Sequence, residues 1–215
     1  MTIIRNSSGD ILFQSSHEDI KRSVEEAIKE GVPLLGANLQ KVRLDDADLH
    51  GGVFTGANFE GASLKNADLR DANLECAKLV KVDFFGARLD RANMKCADLD
   101  EAIFQNSEMA CADLAGAYGT ADFSDSNLTR SSLMGVRMGA RTVGARFSRA
   151  RLLGSNLEKG DFKNADFSNA LLVEANMEEA HFEGANFKGA DLRGASLDHS
   201  SFPDLWRDEK YGIVW

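Results

Sequence analysis

At 215 residues, with 43% hydrophobic and 27% charged side chains, the chain can enclose one sizeable core without calling for a second domain. A formal net charge of -9, from 25 Lys and Arg against 34 Asp and Glu, argues against general binding to nucleic acid or an anionic membrane, and no stretch nears the ~18 apolar residues of a bilayer span. Three cysteines argue against a disulfide framework and suit a reducing cytoplasm; Met1 to Ser8 lack the basic-then-apolar build of a leader.

In chain order, Thr2-Ile3-Ile4 and Ile11-Leu12-Phe13 flank Asn6-Ser7-Ser8-Gly9-Asp10, which predicts a hairpin. A helix is expected from about His17 to Glu30, with Ser16 as its cap and Asp19 in the capping-box position. Ile20, Val24 and Ile28 form its apolar stripe, and Gly31 and Pro33 stop it. Residues 1–36 are therefore expected to be a cap that plugs one end of the remaining chain, because an open solenoid end invites association.

The chain beyond residue 36 is a repeat. From Leu39 to Leu114 every fifth residue is Leu, Phe or Met, sixteen in succession. The frame slips by one, resumes over Phe123, Leu128, Leu133 and Met138, slips again, and runs from Phe147 to Phe202. Two residues before each of these 32 sites stands a small residue, Ala in 22 of them, which absorbs most of the chain's 27 alanines. The residue between is often Asn or Asp, as in Ala37-Asn38-Leu39, Ala67-Asp68-Leu69 and Ala185-Asn186-Phe187. A period of five is neither that of a helix nor that of an ordinary strand. It fits a chain that points one large and one small side chain inward per segment and then turns, with Asn and Asp bonding nearby backbone.

This A(D/N)LXX pattern over residues 37–202 resembles the pentapeptide-repeat family. The resemblance implies an all-β fold: a right-handed quadrilateral β-helix, a pentapeptide-repeat solenoid of about eight coils stacked ~4.8 Å apart. Four columns can be checked against the residues. With each slip taken as one shortened face, one column reads Leu44, Leu64, Phe84, Phe104, Phe123, Val143, Phe162, Phe182 and Phe202, and its neighbour ends Phe147, Phe167, Phe187. Aromatics thus stack in ladders across both slips. Residues 203–215 lie beyond the repeat. Phe202, Leu205, Trp206, Tyr211, Ile213 and Trp215 read either as a lid on the core or as a homodimer contact, since members of the family often pair through their C-terminal ends.

Chemistry is sparse. His17, His50, His181 and His199 lack partners at metal-ligand spacing, and no phosphate-binding, dinucleotide or nucleophile-elbow motif is present. No enzyme, metal or cofactor is expected. Cys76 and Cys96, twenty residues apart, should stack on adjacent coils as a surface pair, with a redox switch the other reading. Charge is more informative. Residues 37–202 carry 25 acids and 19 bases, and two adjacent columns, from Leu39 and Leu44, hold most of the acids. Residues 126–157 contain no acid but hold Arg130, Arg137, Arg141, Arg146, Arg149 and Arg151. This collar reads as solvated surface or as a recognition site for an acidic partner or phosphate. Arg141 falls in the second slip, where an inward small residue is expected, so a departure from the regular coil is predicted there.

Two functions fit. One is a non-enzymatic interaction or scaffold protein that offers the faces of a rigid acidic rod to a protein partner, without direct contact to nucleic acid or membrane. The other comes from a more distant resemblance to bacterial quinolone-resistance pentapeptide proteins, which implies a B-DNA mimic bound to a type II topoisomerase, DNA gyrase or topoisomerase IV. A duplex ~40 Å long carries ~24 negative charges, whereas the repeat offers a net of 6, from 25 acids and 19 bases. The hairpin-helix start is instead like that of stand-alone bacterial members of the family.

Overall fold

The computed structural model describes residues 1–139, 141–202 and 214. Its repeating unit is explained by where five consecutive N–H groups go. In the unit Ala67 to Asp71, the Ala67 N–H donates to Leu64 O (3.1 Å) across the preceding turn and that of Asp68 to Ala47 O (2.9 Å) on one neighbouring coil. Those of Leu69 and Asp71 reach Arg88 O (2.7 Å) and Asp90 O (3.0 Å) on the other neighbour. The remaining N–H, of Arg70, points to neither coil and is taken by the Asp68 side chain at 3.2 Å. All five donors are thus paired. The last bond explains the Asn or Asp of the motif: its oxygen closes a turn that no backbone carbonyl can close. The same bond recurs from Glu60 to Asn58, Glu75 to Asn73 and Glu178 to Asn176, each at 3.0 Å. The fifth residue takes φ near +60°, as at Asn66 (56°) and Asp71 (59°), which the third position of such a turn requires.

Four units make a coil. Parallel bridges join residues twenty apart, as in Asn38 to Asn58, Arg43 to Ser63, Asp48 to Asp68 and Val53 to Asn73, and the chain winds as a right-handed four-sided β-helix. We number the faces 1 to 4 after those four ladders. Among the described residues, the large inward side chains and the alanines before them are buried from Ala37 to Leu192, and Ala195, Leu197 and Phe202 at the far end are partly buried. Only Ala, Val, Gly or Ser fits the second site, because the interior is already filled from four sides by Leu, Phe and Met. Phe84, Phe104 and Phe123 stack with 4.8 Å between successive rings, and Phe147, Phe167 and Phe187 form a second ladder at 4.9 and 5.0 Å.

Both slips are shortened segments of face 1, lying one coil apart. There β3 (Tyr118–Gly119) pairs in parallel with β4 (Arg137–Met138), and the bridge interval falls from twenty to nineteen. Gly119 occupies an inward site at φ +128°, where a Cβ would lie 2.4 Å from the Asp100 nitrogen. The contracted face brings backbone where a side chain would otherwise stand.

One expectation is corrected at the second slip. Arg141 does not enter the core: it is exposed, its backbone bridges Asp122 and Asp161, and the inward residue is Thr142, not Val143. The residue is lost on face 1, ahead of Arg141, so the regular frame resumes one position earlier than the column of phenylalanines suggests. Thr142 is 1% exposed and its hydroxyl donates to Asp161 O at 3.0 Å, which is why a polar side chain is tolerated between Phe123 and Phe162.

At the N-terminus, β1 (Thr2–Arg5) and β2 (Ile11–Ser15) form an antiparallel hairpin, succeeded by α1 (Ile20–Lys29). The helix starts later than expected and is capped by Asp19, whose carboxylate accepts from Lys21 N, because the Ser15 hydroxyl already accepts the His17 N–H (2.9 Å) and holds that segment in a turn. The Asn38 N–H donates to Arg5 O at 2.8 Å. Val24 and Ala27 are fully buried, and Ile28 reaches the Phe54 region of the first coil. The hairpin and helix therefore share the core of the rod.

Candidate functional site

The six collar arginines gather into a girdle. Arg137, Arg141, Arg146 and Arg151 are successive bridge residues of a single coil, one on each face: Arg137 pairs with Tyr118 and Asn156, Arg141 with Asp122 and Asp161, Arg146 with Asn127 and Asp166, and Arg151 with Ser132 and Leu171. Each takes the outward place that Asn or Asp often fills elsewhere. Arg130 and Arg149 sit at the corner between faces 3 and 4 on consecutive coils, with φ of 61° and 59°, so four of the six cluster along that edge.

Two properties set this coil apart. The first is its charge balance. Arg43, Arg70, Arg88, Arg91 and Arg193 of the other coils each meet a carboxylate between 2.5 and 3.3 Å. The Arg70 pair holds Asp68 below the ordinary carboxylate range, and Arg91 does the same to Asp71. Among the described residues, the only ion pair of the girdle is Arg146 with Glu108, at 3.7 Å. Burial pushes the Asp122 carboxyl up, but hydrogen bonds from Ser124 and Gln105 and the nearby Arg141 leave it lowered. The remaining guanidiniums face water, and Arg is the side chain whose planar fork best matches a carboxylate or phosphate.

The second property is a local loss. An Arg in the motif's polar place offers no acceptor, so the N–H groups of Val143, Ser148 and Leu153 lack the side-chain partner that Ser124, Ser168 and Arg193 find in Asp122, Asp166 and Asp191. Other coils give up this bond at one or two faces, as after Lys78, Arg88 and Leu171, and this coil gives it up at three.

Other candidates resolve differently. Cys76 and Cys96 stand at the same corner on successive coils, with φ of 54° and 55°, and both are free. Burial, and then the adjacent Cys96, pushes the Cys76 thiol up, which lowers its thiolate fraction and its reactivity. His50, His181 and His199 are exposed. Among the described residues no group of three or more His, Cys, Asp or Glu could hold a metal ion, and no helix is long and apolar enough to cross a membrane. Phe202 packs on Phe187 with 4.8 Å between ring centres, whereas Leu205, Trp206, Tyr211, Ile213 and Trp215 lie outside the described residues. Val214 pairs with Asp191 and extends face 4. Tyr118, 41% exposed and paired to Arg137, belongs to the girdle's surroundings although no motif marks it; its nineteen-residue offset across the slip is the signal that places it there.

The chain is similar in fold to HetL, a pentapeptide repeat protein involved in heterocyst differentiation regulation from the cyanobacterium Nostoc, with 23% identity, a TM-score of 0.58, and coverage of 87% of this chain and 98% of that one. Weaker likenesses include QnrB1, a plasmid-mediated fluoroquinolone resistance protein (16% identity, TM-score 0.43, 83% and 98% covered), and Rfr23 from the cyanobacterium Cyanothece (16%, 0.21, 90% and 98%). No curated protein sequence matches the chain. The model for pentapeptide repeats matches eight copies over residues 53–91, 83–118, 139–169 and 161–198, and its one internal interruption falls between the two shortened faces. With that match spanning more than half of the sequence and the four-sided coil that the repeats build, the chain belongs to the pentapeptide-repeat family.

Proposed function

We propose that this is a non-enzymatic, cytoplasmic interaction protein that binds an acidic protein partner through the faces of its rod, with the arginine girdle as the recognition element. The observation that carries this reading is the contrast in pairing: arginines of the other coils are neutralised within the molecule, while five of the six girdle arginines, all but Arg146, have no ion pair among the described residues, and the coil gives up three turn bonds. A rigid solenoid suits such a role because its faces are preformed and lose little freedom on binding. The free cysteines suit a reducing compartment.

The test is quantitative affinity capture with the intact chain and with an Arg146→Glu/Arg149→Glu variant. Selective loss of captured proteins in the variant is expected. An identical set at identical yield would remove the girdle as the site. The alternative, a B-DNA mimic on DNA gyrase or topoisomerase IV, needs continuous negative charge along the rod, and the girdle interrupts it with open positive charge. Inhibition of gyrase supercoiling, or its rescue from a quinolone, by micromolar pure protein would reverse that preference.

A further inference from the structure

One outward ladder departs from the polar surface. On face 4 the residue after the inward side chain is Thr55, Glu75 and Lys95 in the early coils, then Ala115, Met134, Leu153 and Val173 in four successive coils, then Arg193. The N–H groups of Gly116, Gly135 and Gly154 donate to Met134 O (2.9 Å), Leu153 O (3.0 Å) and Val173 O (3.0 Å), so these residues lie directly over one another. Met134, Leu153 and Val173 are half-buried, and Leu171 beside them is 40% exposed. The corner toward face 1 is Gly116, Gly135 and Gly154, which carry no side chain and leave a bare shoulder leading to Tyr118. The opposite border is cationic, with Arg151 on the face and Arg130 and Arg149 on the corner. Of the acids near the ends of the stripe, Asp113 is engaged by Lys95 at 3.1 Å and Asp191 by Arg193 at 2.7 Å, while Glu174 takes the glycine corner's place beside Val173, on the side away from the arginines.

We propose that this stripe is the docking site for an acidic amphipathic helix of the partner protein. The helix lies along the rod axis, with its apolar face on Met134, Leu153 and Val173 and its carboxylates on Arg130, Arg149 and Arg151. Spacing selects the occupant. Coils rise ~4.8 Å, and a helix brings an apolar residue to one face about every 5.4 Å, so over the two steps from Met134 to Val173 coil and helix drift apart by only ~1.2 Å. An extended strand, advancing about 6.7 Å between side chains of one face, would be out by nearly 4 Å over the same span. Charge selects the sign of the one flank that meets the arginines, since the cationic border has no carboxylate of its own. Helix-in-groove recognition by anchors at i, i+3/i+4 and i+7 has this form. The proposal rests on the interaction reading above and names the partner's chemistry.

The probe is a fluorescein-labelled synthetic helix of about 15 residues, with Leu at i, i+4 and i+7 and Glu along the one flank that meets the arginines, titrated by anisotropy against the full chain. A scrambled peptide of identical composition is the control. Saturable binding is expected, weakened by rising salt, and reduced about tenfold or more by Leu153→Glu and by Arg149→Glu/Arg151→Glu, as for a central anchor and its charged border. Leu153 points outward, so a melting midpoint that is unchanged, or raised where arginines are removed, checks that each variant is folded, and Leu153→Ser provides a milder replacement. Equal affinity for the scrambled peptide, or binding indifferent to the residue at 153, would overturn the proposal. So would a concentration-dependent dimer of the chain itself that Leu153→Glu abolishes, because the occupant would then be a second copy. If the peptide fails while capture still depends on Arg146 and Arg149, the stripe falls and the interaction reading stands.

Discussion

Replacing Arg141, Arg146 and Arg151 together by Asn should make the rod more stable. Each sits in the place where Asn or Asp elsewhere accepts the N–H two residues on, as Asp122 does from Ser124 at 2.9 Å and Asp166 from Ser168 at 3.0 Å. An Asn introduced at 141, 146 or 151 would offer that acceptor to Val143, Ser148 or Leu153. A net hydrogen bond contributes about 0.5–1.5 kcal/mol, and toward the low end where the donor is already wetted, so three sites supply ~1.5–3 kcal/mol. Relief of repulsion among the arginines along faces 3 and 4 adds to this with the same sign. For a domain of this size each kcal/mol moves the melting midpoint by about 2–4 °C, which places the expected rise at about 3–12 °C. Calorimetry at low and high salt separates the parts, since the turn bonds are insensitive to salt and the repulsion is not. A midpoint unchanged or lowered at both salt concentrations would refute the argument, and with it the claim that the arginines are kept at a structural cost. A gain in stability with loss of partner capture would be the trade expected of a binding surface.

The core and its borders supply three further outcomes. Gly119→Ala should cost about 2–4 kcal/mol in chemical denaturation, from a positive φ and a Cβ forced to 2.4 Å from the Asp100 nitrogen; a loss under ~1 kcal/mol would show that the shortened face can relax. Ser155→Ala should stabilise by about 1 kcal/mol, because the buried Ser155 hydroxyl has no hydrogen-bond partner. Ser126→Ala should instead cost a similar amount, since the Ser126 hydroxyl donates to Phe123 O at 2.6 Å; equal effects at the two sites would contradict this assignment. Asp68 and Asp71 are held below their ordinary value of 3.8, first by hydrogen bonds from Arg70 and Arg91. Groups with a depressed folded value contribute stability that is present above the unfolded value and lost as pH falls through the folded one. Midpoints should therefore hold from neutral pH down toward 4 and then decline, and Asp68→Asn/Asp71→Asn should flatten that decline.

Much of this molecule is legible along the chain because a solenoid is nearly one-dimensional: each unit meets only its neighbours, so spacing in sequence becomes spacing in space. The five-residue period, the small residue before each large one, and the recurrence of Phe84, Phe104 and Phe123 establish the four-sided coil and the stacking of aromatics. The hairpin reads from Asn6 to Asp10 for the same local reason. The helix start does not, since Ser16 and Asp19 are both competent caps and the choice depends on where the Ser15 hydroxyl is engaged by the turn ahead of the helix.

The collar shows where local reading stops. That residues 126–157 hold six arginines and no acid is a property of the sequence, but a run of arginines is equally a patch on one face or a ring around the rod. The second slip leaves the phase ambiguous by one residue, so the sequence is consistent with Arg141 inward and with Arg141 outward. The backbone bridges to Asp122 and Asp161 decide it, because once the contracted face 1 is paired the next inward place belongs to Thr142. The same pairing puts Arg137, Arg141, Arg146 and Arg151 on four faces of one coil and aligns Met134, Leu153 and Val173 beside them. Period and composition determined the fold; the tertiary structure alone decided which charges go unpaired and which apolar side chains meet, because both depend on contacts across coils whose register the slips reset.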